Sequence, residues 1–329
     1  MTNLSISAVC NQSCPYCFTQ DHLAESRADD GFLAIEDFDA RLDFLDRSGI
    51  DQARFLGGEP TLHPQFPELV ARARARGKSI VVFTNGLMNE EALACLEALP
   101  VTSCTVLMNV NSPDEAGAGV LRRQRSALQR LRQRASLSFN IHRPDFQPDF
   151  LLSLIAETDC KPSVRLGLAQ PCLSGSNQYV YPHQYVAIGR SIVRFARAAD
   201  RVGATVSFDC GFVRCMFSDQ DLEALKSLGA DVGWRCNPIL DVDLDGQVIY
   251  CYPLAQLGSL PLTPQADAST LRQAFEARTR GYRQAGVFPE CSTCHFKQSD
   301  VCPGGCLAVT IRRFHHTPFA LDVPQEASL

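Results

Sequence analysis

Residues 4–18 read LSISAVCNQSCPYCF: a short apolar run passes straight into a loop that carries Cys10, Cys14 and Cys17. Strands that deliver reactive groups at their C-terminal ends are the device of βα barrels. The second apolar run repeats it, closing in FLGGEP at 55–60. Working outward, strands are expected at 4–9, 53–56, 79–84, 104–109, 137–141 and 164–168. Helices are expected near 34–48, 65–77, 89–98, 116–134, 146–158 and 183–201. In the last of these, Tyr185, Ile188, Ile192, Phe195 and Ala199 recur at helical spacing and make one apolar face. Such alternation implies a parallel sheet with helical crossovers. The strands are continuous apolar runs, which predicts burial on both faces. The expected fold is α/β, a partial (β/α)6 TIM-like barrel over residues 1–208.

The character changes over residues 209–329. WRCNPILDVDLDGQVIYCYPL reads as a hairpin turning at Asp245-Gly246, with a cysteine beyond each end. CSTCHFKQSDVCPGGC follows at 291–306. This part has little regular structure and many thiols, so a small cysteine-rich domain is expected in which ligated metal replaces part of the core.

Composition narrows the class. The 329 residues are 45% hydrophobic and 20% charged, with a net charge of −5. That balance gives no overall pull toward nucleic acid or an anionic membrane. No apolar run nears the roughly 20 residues a membrane helix needs, and no secretory signal is visible, so a cytoplasmic protein is expected. Fifteen cysteines in a reducing compartment point to metal rather than disulfides. Cys95, Cys104 and Cys160 are scattered and read as small buried hydrophobes. Helix 116–134 holds Arg122, Arg123, Arg125, Arg130, Arg132 and Arg134 with no acid. It reads as a solvated outer face, or alternatively as a docking strip for an acidic leader peptide.

Three thiolates at C-x3-C-x2-C can hold three irons of a 4Fe–4S cubane and leave the fourth open. Zinc would want a fourth protein ligand, for which His22 is available. Gly57 and Gly58 permit close backbone approach to a ligand, and Glu59 offers a carboxylate to an ammonium group. Both loops open on the same face of the expected barrel.

On CNQSCPYCF and GGEP the chain resembles the radical S-adenosylmethionine (SAM) superfamily. The resemblance implies that Cys10, Cys14 and Cys17 bind a 4Fe–4S cluster whose open iron takes the amino and carboxylate groups of SAM. It implies that Tyr16 packs near the adenine, that Gly57, Gly58, Glu59 and Pro60 hold the methionyl end, and that Thr84 and Asn85 of FTNG lie near SAM. Asn140 is a further candidate for a ribose or carboxylate contact. The implied reaction is reductive cleavage of SAM to a 5′-deoxyadenosyl radical that abstracts a substrate hydrogen, with electrons from a donor such as flavodoxin or ferredoxin.

Residues 209–329 resemble the SPASM extension of the same superfamily, which carries auxiliary 4Fe–4S clusters. Cys236 and Cys251 match C-x(9–15)-G-x4-C around Gly246. Cys291, Cys294, Cys302 and Cys306 match C-x2-C-x5-C-x3-C except that the middle gap is seven. The upstream and final cysteines of the family pattern are absent. Family analogy groups Cys236, Cys251 and Cys306 around one cluster and Cys291, Cys294 and Cys302 around another. Cys210 and Cys215 could each supply a fourth ligand; the alternatives are an open iron or a histidine from His295, His315 or His316. Zinc at 291–306 is a further alternative.

The auxiliary clusters could pass electrons or anchor substrate. Cys172, beyond the sixth strand, is a candidate thiol hydrogen donor. Family analogy favours modification of a ribosomally made precursor peptide by crosslinking, excision, epimerisation or oxidation. The alternative is epimerisation or dehydrogenation of a small metabolite such as an aminoglycoside or sugar. The chain starts almost at its first strand, and about two dozen residues follow Cys306, too few for a recognition domain. For a peptide substrate, either a separate peptide-recognition protein or the basic helix 116–134 is therefore expected to help. A non-enzymatic iron–sulfur electron carrier or zinc-binding protein would leave FLGGEP and the βα units unused.

Overall fold

The computed structural model describes residues 1–26, 28, 30–173, 175, 177–230 and 232–314. Six βα units appear where the alternation places them. The strands are β1 (Thr2–Ser7), β2 (Gln52–Gly57), β3 (Ser79–Thr84), β4 (Cys104–Asn109), β5 (Ala135–Ile141) and β6 (Ser163–Leu168). After α1 (Gln20–Ala24), the crossover helices are α2 (Ile35–Arg47), α3 (Phe66–Ala75), α4 (Glu90–Ala98), α5 (Pro113–Leu131), α6 (Phe150–Glu157) and α7 (Tyr185–Arg201). Asn89 caps α4 by accepting from the Ala92 amide at 2.8 Å. A short parallel strand that the apolar pattern does not reveal, β7 (Thr205–Phe208), adds to β6.

The outward faces of the strands pack under the helices through Leu4, Phe55, Val82, Val106, Leu137 and Leu166, all buried. The inner faces do not match the expectation of burial on both sides. Arg54, Leu56, Phe83, Leu107, Asn109, Ser138, Asn140 and Arg165 alternate with those core residues. Several are half-exposed and face a cavity. Period-two alternation is therefore present, with a partly polar inner face.

The cysteine-rich part joins the same sheet. The strands β8 (Leu240–Val242) and β9 (Gln247–Ile249) form the expected antiparallel hairpin, and β10 (Leu260–Pro261) pairs with β9. β8 lies parallel to β1, so β1 is flanked by β2 on one side and β8 on the other. The seam is pinned by Asn3 Nδ2 donating to Asp241 Oδ1 at 2.6 Å and by a hydrogen bond between Ser5 and Tyr252. The remaining helices are α8 (Asp219–Ser227), α9 (Ala268–Gln284), α10 (His295–Gln298) and α11 (Leu307–Phe314).

Candidate functional site

The C-terminal ends of β1 to β6 surround a cavity of about 420 Å³. Cys10, Cys14 and Cys17 line it, together with Tyr16, Gly57, Gly58, Thr84, Asn85 and Asn140. The three thiols are neighbours. Burial pushes the Cys10 and Cys14 thiols up, and Asn111, donating Nδ2 to Cys14 Sγ at 3.4 Å, works against this. Asn85 Nδ2 points at Cys10 Sγ from 3.8 Å. Amide donors aimed at sulfur favour thiolate, the form that ligates metal.

Two glycines are required where β2 ends, for a reason other than ligand contact alone. The Gly58 amide donates to the Ser7 carbonyl at 2.7 Å and the Glu59 amide to the Val9 carbonyl at 2.8 Å. The turn thus packs directly on the backbone that leads into the cysteine loop. Gly57 adopts φ +149°, and a side chain there would meet the Ser7 carbonyl.

Glu59 does not present its carboxylate to the cavity. It is 0% exposed. Oε1 accepts from the Thr61 amide at 3.1 Å, the Thr61 hydroxyl at 2.6 Å and the Thr84 hydroxyl at 2.8 Å, and Oε2 accepts from the Asn85 amide at 2.7 Å. Burial nonetheless pushes its pKa up. Glu59 buckles the ends of β2 and β3 together, and Pro60 is buried beside it rather than on the cavity wall. In this structure both carboxylate oxygens are engaged by the turn.

Tyr16 lies on the wall with its ring 4.9 Å from that of His142. Its hydroxyl accepts from Asn109 Nδ2 at 2.7 Å and donates to Asn111 Oδ1, and Asn140 Nδ2 donates to Asn109 Oδ1 at 3.0 Å. Asn109 and Asn111 were not singled out from the sequence. The available signal was a polar residue at the C-terminal end of an apolar strand, where barrel sites collect. Arg165 and Asp209 were missed as well. They form an ion pair of 2.5 Å in the cavity wall. A charge within the apolar run SVRLGL was the clue.

Two candidates lie elsewhere. Cys172 is buried and off the cavity wall, with Sγ donating to the Phe18 carbonyl at 3.3 Å. Burial, then Asp21 and Cys17, push its thiol up to about 12. His22 is not part of that cavity lining, and its Nε2 sits 3.1 Å from Asp243 Oδ2. The arginine strip on α5 is partly neutralised: Arg125 pairs with Glu157 at 2.6 Å, and Arg130 with Glu90 and Glu97 at 2.7 Å each. His295 is exposed on α10. His315 and His316 lie outside the described residues.

The eight cysteines from Cys210 to Cys306 gather beside the barrel, all as free thiols. Cys236 Sγ accepts from the Leu307 amide at 3.4 Å, next to Cys306. The Cys236 thiol is held down at about 7, first by its hydrogen bond with Cys306.

The chain carries a radical SAM domain: residues 4–136, which include the loop of three thiols, match the model of the Radical SAM superfamily. That family uses a 4Fe–4S cluster and SAM, and the donor set described here, three thiols with amide donors on sulfur, fits the cluster. Among particular proteins, the PqqA peptide cyclase of Xanthomonas axonopodis pv. citri is 33% identical over 134 residues, covering 40% of this chain and 35% of that protein. The GTP 3′,8-cyclase of Chlorobaculum tepidum is 30% identical over 95 residues, 28% of each chain. The chain thus spans only about a third of the length of these curated relatives. In fold it is similar to native anSMEcpe with bound AdoMet, with TM-score 0.65 and 18% identity over 93% of this chain and 89% of that one. It is also similar to Streptococcus suis SuiB bound to S-adenosylmethionine, with TM-score 0.64 and 15% identity over 96% and 75%. Among the described residues no helix is long and apolar enough to cross a membrane.

Proposed function

We propose that this protein is a radical SAM enzyme that modifies a ribosomally synthesised peptide, with Cys10, Cys14 and Cys17 holding the SAM-binding cluster. A reduced 4Fe–4S cluster held there would, with SAM bound, supply a 5′-deoxyadenosyl radical for hydrogen abstraction. The chain's own residues do the remaining work. Tyr16, Asn109 and Asn140 form a hydrogen-bonded wall that can orient the nucleoside end. Asn85, fixed by Glu59 and by its own Nδ2 bond to Asn11 Oδ1 at 2.8 Å, lies beside Cys10 at the rim. Arg165 and Asp209 give the cavity a charged pair that can engage a substrate carboxylate or amide.

The observation that carries the peptide reading is the extent of the fold similarity, which runs through the cysteine-rich part to SuiB, itself observed bound to its precursor peptide SuiA. The similarity of anSMEcpe, observed with the Cp18Cys peptide, supports the same reading. A small metabolite would occupy the same cavity. Anaerobic reconstitution should give iron and sulfide in equal amounts and, with SAM and a reductant, 5′-deoxyadenosine. A short peptide encoded beside this chain should then change mass on incubation. Turnover of SAM with no mass change in such a peptide, but with a change in an aminoglycoside or sugar, refutes the substrate class and leaves the chemistry.

A further inference from the structure

Helix α7 carries its charge on one side. Arg190, Arg194, Arg197 and Arg201 recur at spacings of four, three and four. They share about 60° of the helix circumference and form a row about 16 Å long. The opposite side, from Tyr185 to Ala199, is buried on the barrel. All four arginines are exposed, and among the described residues none has an ion-pair partner. Elsewhere on the surface Arg72, Arg76, Arg125, Arg130, Arg143 and Arg214 each have one. Like charges one turn apart repel, so an uncompensated row is a local feature that needs a reason in a chain of net charge −5.

The row borders a cavity of about 540 Å³ between α7 and the segment that leads into α6. Phe146, Pro148 and Phe195 form its floor and are buried. Arg194, Arg197 and Arg201 stand on its rim, against one carboxylate on the wall, that of Asp149. Arg194 Nη2 donates to Ser191 Oγ at 3.0 Å, which holds that guanidinium at the rim.

This groove lies behind β5. Phe139 on that strand packs on Phe146 with ring centroids 6.1 Å apart, while the next residue, Asn140, lines the barrel cavity on the other side. From the end of β5 at Ile141 to Phe146 the chain path is at most about 18 Å. A peptide seated in the groove therefore has only a few residues to travel to the barrel mouth.

Resting on the peptide-modifying reading above, we infer that this groove binds an acidic segment of the substrate peptide, apart from the part that reacts. Its carboxylates lie along the arginine row and an apolar side chain fills the cavity. An extended segment of about five residues matches the row in length. A flat acidic protein face would meet the arginines but leave the cavity unfilled. A small anion would leave the apolar floor uncovered.

The test measures fluorescence anisotropy on the reconstituted full chain. A labelled peptide of glutamates flanking a phenylalanine should bind, and added salt should weaken it. Glutamine in place of its glutamates should weaken binding by about tenfold. Replacing Arg194, Arg197 and Arg201 together with alanine should do the same, and so should Ser191→Trp, which fills the cavity without changing charge. Arg122→Ala with Arg123→Ala, on exposed α5, should change nothing. Every variant should form 5′-deoxyadenosine from SAM at the parental rate without peptide. Equal binding of the glutamine peptide, full binding by the arginine variant, or an equal loss from the α5 pair overturns the inference. So does displacement by inorganic phosphate with no dependence on the phenylalanine, which marks a small-anion site. Slower reduction of the arginine variant by flavodoxin at unchanged peptide affinity overturns it too, in favour of the electron donor. A sugar or aminoglycoside substrate would show in the mass assay whatever the groove binds, so the two readings fail separately.

Discussion

Replacing Gly58 with alanine should detach the cysteine loop from the barrel. The added methyl would press on the Val9 carbonyl oxygen, 2.7 Å from its carbon and 2.9 Å from the Ala8 oxygen. Contacts under 3.0 Å to backbone atoms are not tolerated, so the β2 turn and the loop must part. Parting them strains the Gly58–Ser7 and Glu59–Val9 hydrogen bonds, both between backbone groups at the end of β1. Overpacking costs about 1–3 kcal/mol, and a weakened buried hydrogen bond about 1 kcal/mol or more. For a chain of 329 residues, a loss of about 3 kcal/mol corresponds to a melting temperature lower by roughly 4 °C. Calorimetry on the cluster-free protein reads that term, and iron content with SAM-dependent change in the EPR signal reads the geometry of the loop. If Gly58→Ala melts with the parent and gives the same SAM-dependent signal, the close packing of the two motifs is not what holds the site.

Glu59→Gln places an amide among four donors, so it should lower stability by about 2–3 kcal/mol before it affects SAM; a weaker SAM affinity with unchanged melting would instead give the side chain the ammonium role. Cys14→Ala should remove about four irons and the SAM-dependent signal while leaving the C-terminal iron in place, and retention of a SAM response would sink the three-thiol assignment. Asp241, buried in the seam between β1 and β8, has its carboxyl pushed up to about 7 from 3.8 by burial. Its folded pKa lies above the unfolded one, so its contribution is fully present below about pH 4 and is lost as pH rises through 7, by at most about 1.4 kcal/mol per pH unit. Subtracting the stability profile of Asp241→Asn from that of the parent should isolate this fall; parallel profiles from pH 4 to 8 would refute it.

Much of the barrel was legible because helices and strands alternate with different apolar periods, and those periods survive in single stretches such as 79–84 and 185–199. The first strand was displaced toward its C-terminus: Ala8 and Val9 are apolar but already belong to the loop, where Val9 is 38% exposed. β7 was missed because four residues with exposed Thr205 and Ser207 carry too little apolar signal. The cysteine loop and the turn after β2 were legible as partners since both follow strands that run the same way. Which way Glu59 points was not, since that depends on Thr61 and Thr84 meeting it, and the spacing of one motif says nothing about a residue 25 positions later.

The strand that delivers the three thiols owes its interior position to the far end of the chain. Were the protein cut after β7, β1 would become a margin with a bare row of amides and carbonyls, open to pairing with a second molecule. The hairpin at β8 and β9 therefore does more than carry cysteines: it guards the most reactive strand against unwanted company.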